Sequence, residues 1–309
     1  MEIISITGAS GFIGQHLVSE LSKNSTLRIK VLTRQHSDQM THFKSLPNVE
    51  IVEGDLLLPD SLTNFIVPGC TVVHLAYLKN LDKNANLQAI THLLQNCKDI
   101  KIKRFIHIST AAVIGRAPDD LVTEATACQP VSQYGTTKLA IEDLILKTGI
   151  DIFDAVVLRP TAVFGKGGQS LKKLSHDLTV KNYWLNYFKS CLFNKRQMNL
   201  VHVINVVAAI CFMVYRQENL NRQIFIVSED DNINNNFHYV ENFLMTQYDI
   251  KKYPLPSFSL SLKFLSFFLT ILHKNETNPY RRYDSSKLMS LGFNRPIGFE
   301  DGLKNYVAV

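Results

Sequence analysis

The stretch Thr7-Gly8-Ala9-Ser10-Gly11-Phe12-Ile13-Gly14 constrains this chain more than any other. An apolar run, Ile3-Ile4-Ser5-Ile6, precedes it, and a helical pattern through Leu17, Val18 and Leu21 follows. Strand, glycine-rich turn and helix is the context in which such a turn cradles a dinucleotide. Glycines let the backbone come close to a pyrophosphate. The helix then offers that anion unpaired N–H groups and the positive end of its dipole. The spacing is G-x-x-G-x-x-G, not G-x-G-x-x-G. A plain strand–turn–helix corner would tolerate the same glycines, so the rest of the chain has to decide.

A length of 309 residues fits one large α/β unit with an appended lobe. A hydrophobic fraction of 46% against 19% charged residues supplies an ample core. The net charge of +6 suits anionic small molecules. No basic block or Arg/aromatic repeat argues for nucleic acid as a partner. Cys70, Cys97, Cys128, Cys191 and Cys211 form no C-x-x-C, which points away from zinc and from a disulfide framework. The chain opens on a strand without a signal-peptide pattern, so a cytoplasmic location is expected. Phe258 to Leu272 is the most apolar stretch, yet it carries Lys263 and several serines and is too short to span a bilayer. It reads as a buried or lobe-packing helix, with no membrane insertion.

Arg28 to Thr33 reads as a second strand, closed by Arg34 and followed by Gln35 and His36. This position, about 20 residues past a glycine turn, meets the adenine ribose in a dinucleotide fold. An acidic residue there binds the hydroxyls of NAD; an arginine fork suits a 2′-phosphate instead. Arg34 therefore favours NADP(H), although a solvated strand-end arginine is the plain alternative. Val49 to Val52 reads as a third strand, with Asp55 and Leu56 after it as candidates to meet the adenine. Thr71 to Ala76 reads as a fourth, buried strand, whose Leu75 and Ala76 would face the cofactor. His74 reads as a packed strand histidine, since no second metal ligand is spaced with it.

A helix over Asn84 to Asp99 follows, then a fifth strand over Arg104 to Thr110. The next helix starts near Pro130 and carries Tyr134 and Lys138, four residues apart on one face. Asp151 to Arg159 gives a sixth strand, closed by Pro160. Alternating strands and helices imply an α/β Rossmann fold with a doubly wound parallel sheet. The expected division is a Rossmann domain over 1–165 and a smaller C-terminal α/β substrate-binding lobe over 166–309, part of which returns to the sheet. Asn182 to Phe193 reads as irregular and aromatic-rich, Met198 to Val203 as a strand, Asn205 to Tyr215 as a helix and Ile224 to Val227 as a strand. Asn232 to Asn236 reads as a polar loop, and Tyr283 to Leu288 as the start of a capped helix.

A tyrosine of ordinary pKa, about 10, is a poor acid–base group at neutral pH. A lysine one turn away would lower that pKa and hold nicotinamide-ribose hydroxyls. The strand-end hydroxyl of Thr110 would position a substrate carbonyl against Tyr134.

Together the glycine turn, Gly54-Asp55-Leu56, His74-Leu75-Ala76, Ser109 to Gly115, Tyr134 with Lys138, Arg159-Pro160, Val201 to Asn205 and Asp284 to Lys287 resemble the extended short-chain dehydrogenase/reductase family. The resemblance implies catalytic Thr110, Tyr134 and Lys138. It also implies a cofactor seat made of Gly8, Ser10, Gly11, Phe12, Ile13, Gly14, Arg34, Asp55, Leu56, Leu75, Ala76, Tyr134, Lys138 and Pro160. Most members with this layout act on nucleotide-diphosphate sugars, and a homodimer formed through the helices around 84–99 and 130–147 is expected. In that family's 4,6-dehydratases an Asp-Glu pair follows the catalytic threonine; here Ala111 and Ala112 stand in those places. Ala112 also takes the place of a cysteine base used by epimerase-reductases. What remains is hydride and proton transfer at one carbon, by a 4-ketoreductase or a 4-epimerase, and Arg34 favours an NADPH-dependent reductase of a nucleotide 4-keto-6-deoxy sugar in polysaccharide precursor synthesis. A 4-epimerase and a non-catalytic NADP-sensing protein are the alternatives. An asparagine often found after Arg-Pro-Thr is Ala162 here, and an arginine often found before the Val-His-Val strand is Met198. Arg196, Arg281 and Arg282 are then the candidates for the substrate diphosphate.

Overall fold

The computed structural model describes residues 1–34, 43–180, 182–255 and 278–308. In chain order the elements are β1 (Glu2–Thr7), α1 (Phe12–Leu21), β2 (Leu27–Thr33), β3 (Val49–Glu53), β4 (Thr71–His74), α2 (Lys83–Ile100), β5 (Arg104–Ile108), β6 (Leu121–Val122), α3 (Gln133–Thr148) and β7 (Asp154–Pro160). Then come β8 (Ala162–Phe164), α4 (Lys172–Val180), α5 (Tyr183–Phe193), β9 (Leu200–His202), α6 (Val203–Tyr215), β10 (Gln223–Val227), α7 (Phe237–Gln247), β11 (Arg282–Tyr283), α8 (Ser286–Ser290) and α9 (Phe299–Val307). The apolar stretch Phe258 to Leu272, together with Gln35 and His36, lies outside the described residues.

The chain gathers into two compact units, each built from more than one segment. The first comprises Met1–Val113, Ser132–Arg159 and Val206–Phe225. The seven-stranded sheet runs in the order β10-β7-β5-β4-β1-β2-β3. The pairs β1–β2, β1–β4, β2–β3, β4–β5 and β5–β7 are parallel. Strand order reverses between β1 and β4, the switch point at which open α/β sheets take their ligands. β4, β5 and β7 are buried along their whole length, as strands covered on both faces must be. Local chemistry sets the helix starts. Asp82 accepts from the Ala85 N–H to begin α2, and Ser132 accepts from the Gly135 N–H at 3.0 Å to begin α3. Pro130 therefore precedes α3 by three residues. Leu93 and Leu94 of α2 and Ile141 and Ile145 of α3 bury themselves with Val72 and Phe105 of the sheet.

One buried cation closes the end of the sheet at which β5 begins. Arg104 pairs with Asp154 at 2.6 Å. Its remaining donors go to the carbonyls of Met213, Arg216 and Glu218, at and just past the end of α6. A helix leaves its last carbonyls without partners, and the guanidinium fork supplies them.

The second unit comprises Ile114–Val131, Pro160–Asn205 and Ile226–Val309. Two short parallel pairs, β8–β9 and β6–β11, are its strands. Phe164, Leu171, Leu200, Val240, Leu244, Phe299 and Leu303 form its apolar core. A polar core lies within it. Asn235 bonds both backbone groups of Leu200. Glu229 accepts from the His202 N–H at 2.9 Å and the Asn205 amide at 2.6 Å. Burial pushes the Asp230 carboxyl up to about 7. The stretch 182–193, expected to be irregular, holds α5 over Tyr183–Phe193. Asn182 caps it through the Trp184 and Leu185 N–H groups. The aromatic side chains hid the helical period because they occupy both its faces: Tyr187 is buried, whereas Trp184 and Phe188 are exposed.

His74 and His107 face each other across the β4–β5 register and stack at 5.3 Å. Burial drives His74 down to about 3 and His107 well below its ordinary value. Both folded values lie under the unfolded value near 6.5. Below that pH the unfolded chain binds the extra protons, so acid removes stability down to the folded values. Urea unfolding at pH 5 is expected to show the first unit weakened relative to pH 7.5, by about 2 kcal/mol from His74 at about 1.4 kcal/mol per pH unit, with His107 adding in the same direction. His107→Leu should make that pH dependence shallower, and an unchanged slope would contradict the assignment.

Candidate active site

A cavity of about 1330 Å³ opens at the β1/β4 switch point of the first unit. Its floor is the glycine turn. Gly8 sits at φ +74, a conformation L side chains rarely adopt. A Cβ there would lie 2.7 Å from the Ala76 nitrogen. At Gly14 a Cβ would lie 2.3 Å from the Gly8 carbonyl oxygen. The turn is thus pressed against β1's own neighbour and against the first turn of α1. Thr7 stitches the same edge: its carbonyl accepts from the Leu75 N–H at 3.1 Å, and its hydroxyl meets His74 Nδ1 at 2.7 Å. Gly11 caps α1 without a side-chain hydrogen bond, which leaves the first-turn N–H groups for an anion.

Gly8, Ser10, Gly11, Phe12, Ile13, Gly14, Arg34, Asp55, Leu56, Leu75, Ala76, Tyr134 and Lys138 all line this cavity. Pro160 does not; it is the buried last residue of β7. One Asp55 carboxylate oxygen accepts from the Leu57 N–H at 2.9 Å, so the residue also caps its own turn. Glycines, helix N-terminus and a cavity-lining arginine together fit a dinucleotide carrying phosphate charge.

Tyr134 and Lys138 line the same cavity; Thr110 is not among its lining residues but hydrogen-bonds Tyr134. Thr110 follows β5, and its hydroxyl accepts from the Ala112 N–H at 3.2 Å. It also hydrogen-bonds Tyr134, which lowers that phenol's pKa. Burial and the neighbouring Tyr77 phenol outweigh this, and the Tyr134 pKa is raised overall. The expected lowering by Lys138 is not what sets the phenol in this structure. The Lys138 ammonium donates to the Ile108 carbonyl at 2.8 Å and lies over the Tyr77 ring, 5.7 Å from its centroid. Burial brings Lys138 down to about 8, with the Glu142 carboxylate opposing.

Two neighbours of these groups are not marked by any motif in the sequence. Tyr77 lines the cavity and stands edge-to-face with Tyr134 at 4.9 Å. Glu142 is buried one turn beyond Lys138. It accepts from Arg159 at 2.6 and 3.1 Å and from the Ser109 hydroxyl. A signal for Glu142 was present, because Tyr134, Lys138 and Glu142 repeat every four residues along one helical stripe. Tyr77 carried none beyond its place after Leu75-Ala76.

The candidate substrate arginines belong to the second unit. Arg281 is buried, and its two terminal nitrogens donate to the carbonyls of Gly115 and Ala117. Arg196 packs over the Phe193 ring at 5.6 Å, and its backbone carbonyl accepts from Phe237. Arg282 is exposed in β11. Arg281 is thus engaged as a brace within its own unit.

Gly14→Ala is expected to cost about 1–3 kcal/mol in thermal or urea unfolding, because backbone rather than a flexible side chain would have to move. It should also abolish dinucleotide binding in a fluorescence titration; wild-type affinity in the variant would remove the turn from the site.

Residues 4–228 match the NAD dependent epimerase/dehydratase family. A trifunctional UDP-glucose 4,6-dehydratase/UDP-4-keto-6-deoxy-D-glucose 3,5-epimerase/UDP-4-keto-L-rhamnose-reductase, RHM2, of Arabidopsis thaliana is 30% identical over 168 residues, 47% of this chain and 25% of that protein. The UDP-glucose epimerase YtcB of Bacillus subtilis, described as uncharacterized, is 30% identical over 182 residues, 52% of this chain and 57% of that one. The match thus spans a quarter of the plant protein and just over half of the bacterial one. In fold, the chain resembles UDP-glucuronic acid 4-epimerase from Bacillus cereus in complex with NAD, with a TM-score of 0.71, 21% identity and coverage of 99% of this chain and 96% of that one. It also resembles vestitone reductase from alfalfa, with a TM-score of 0.75, 18% identity and coverage of 99% and 97%. The chain belongs to the NAD dependent epimerase/dehydratase family.

Proposed function

We propose that this protein is an NADPH-dependent reductase of a nucleotide-diphosphate 4-keto-6-deoxy sugar. The observation that carries the reading is one cavity lined by the glycine turn and Arg34 and also by Tyr134 and Lys138. The cofactor would supply hydride to the keto carbon. Glycine-turn and first-turn N–H groups of α1 would hold its pyrophosphate, and the Arg34 guanidinium its 2′-phosphate. Thr110 would hold the carbonyl oxygen by hydrogen bond. Tyr134 would give its proton to the oxygen as negative charge develops there. Its raised pKa keeps that proton in place at neutral pH, the state a donor needs. Lys138, charged near neutral pH, would steady the phenolate left behind and hold ribose hydroxyls.

The alanines after Thr110 support reduction over dehydration, which needs a further acid and base to remove water. Ala111 is buried and Ala112 exposed, and neither carries a titratable group. The plant relative's name includes a 4-keto-rhamnose reductase among its activities, which suits this reading. A second reading, a nucleotide-sugar 4-epimerase, draws on the epimerases among the structural neighbours, solved with NAD. Consumption of NADPH separates the two, because an epimerase returns the hydride it takes.

Incubation with NADPH and a panel of nucleotide 4-keto-6-deoxy sugars should give stoichiometric loss of absorbance at the reduced-cofactor band. Tyr134→Phe is expected to lower kcat at least about a hundredfold with little change in cofactor affinity. Full turnover by that variant would sink the mechanism. Arg34→Ala should raise KM for NADPH about tenfold and leave NADH nearly unchanged, since a charge-assisted fork to phosphate is lost. Equal effects on both cofactors would return Arg34 to the role of a surface charge.

A further inference from the structure

We propose that Tyr77 is a positioning residue of the acid–base pair, its ring seating the Lys138 ammonium and bracing the Tyr134 ring. The inference rests on the reading above, in which Tyr134 and Lys138 are the working groups. Tyr134 and Lys138 stand one turn apart on α3, whereas Tyr77 follows β4, a separate strand of the same unit. Its ring meets Tyr134 at 4.9 Å with an interplanar angle of 89°. The Lys138 Nζ lies 5.7 Å from the same ring's centroid. An aromatic face carries negative quadrupole density, and an ammonium above it is attracted, most strongly where water is excluded. Lys138 is 2% exposed. An edge-to-face pair is directional as well, so it fixes where the Tyr134 ring stands.

Tyr134 needs such a brace. Although burial raises the pKa of its phenol, the residue as a whole is 39% exposed and stands second in α3. Lys138 needs a counterweight too: Ile108 supplies one carbonyl, and the Glu142 carboxylate one turn away is already shared by Arg159 and Ser109. Tyr77 supplies both services from one ring. Its phenol is also the second cause, after burial, of the raised Tyr134 pKa. The ionisable groups around the pair are Tyr77 beside both, Glu142 beyond Lys138, and His74 and His107 behind Lys138, where burial keeps both neutral. Thr110 adds a hydrogen bond to Tyr134.

The test compares Tyr77→Phe, Tyr77→Leu and Tyr77→Met, the last keeping bulk without an aromatic face should the leucine variant fail to fold. In protein labelled with ¹³Cζ-tyrosine and free of substrate, the resonance missing from Tyr134→Phe reports the Tyr134 phenol. Its titration midpoint should fall in all three variants, because each removes the Tyr77 phenol, and should fall further in the leucine or methionine variant, which also loses the ring. With a keto-sugar, the aliphatic variants should lose kcat about tenfold with KM within about twofold, and Tyr77→Phe should retain most of kcat. Wild-type titration and kcat in the aliphatic variants would overturn the proposal. So would a Tyr77→Phe defect equal to theirs, because the hydroxyl rather than the ring would then be the working part. The resonance measurement needs no substrate, so it decides Tyr77 even if every keto-sugar proves inert and the reductase reading falls.

Discussion

The buried pair of Glu142 and Arg159 fixes the rotation of α3, and the chemical end of the site depends on that rotation. The carboxylate takes the guanidinium of β7's Arg159 through two nitrogens and the hydroxyl of Ser109 at the end of β5. A buried carboxylate repays its desolvation only when hydrogen bonds satisfy it, and Glu142 accepts from both Arg159 and Ser109. Ser109 immediately precedes Thr110, and Glu142 stands one turn beyond Lys138 and two beyond Tyr134. Locking Glu142 to two adjacent strands therefore sets the azimuth at which Lys138 and Tyr134 leave the helix. A hydrophobic contact could hold α3 against the sheet, but it would tolerate a rotation that a two-pronged hydrogen bond does not.

The other end of the site depends on the absence of side chains. Gly8 approaches the Ala76 nitrogen and Gly14 the Gly8 carbonyl so closely that no Cβ fits at either place. These two close approaches join β1, the first turn of α1 and the end of β4 at the switch point. Thr7 fastens the same edge with its carbonyl and its hydroxyl, which meet Leu75 and His74. The cavity is thus bounded by close-packed backbone at the glycine turn, while Tyr134 and Lys138 reach it from a helix held by a charged hydrogen-bond network behind them.

Much of this was legible in the sequence, for particular reasons. Parallel strands covered on both faces read as continuous apolar runs, which made β1, β4, β5 and β7 plain. The glycine turn and the Tyr134–Lys138 spacing are local and survive without tertiary knowledge. What escaped was non-local or hidden by composition. Tyr77 acquires meaning only when β4 and α3 come together. Glu142 looks like any helical glutamate until Arg159 arrives from another strand. Residues 183–193 form α5 although their aromatics occupy both faces, which erases the amphipathic signal. The Tyr134 phenol illustrates the same limit in chemistry. Spacing predicts the influence of Lys138, but burial and Tyr77, neither visible from spacing, decide the direction.

The arginines show why site residues of one type have to be sorted by what their heads touch. Arg104, Arg159 and Arg281 sit within or beside recognisable motifs, and each is buried. Arg104 binds a carboxylate and three carbonyls near the end of α6; Arg159 binds Glu142; Arg281 binds two carbonyls of the 115–117 turn. Guanidinium suits such work because its charge is permanent and its donors are fixed in a plane. Arg34 differs in being exposed and in lining the cavity at the end of β2. A phosphate needs a reachable head group, and among these four Arg34 alone is both exposed and a cavity-lining residue. The positive balance of the sequence is therefore a poor guide to substrate charge, since several of its cations serve the fold, and the proposed preference for NADPH rests on the position of Arg34 at the switch-point cavity instead.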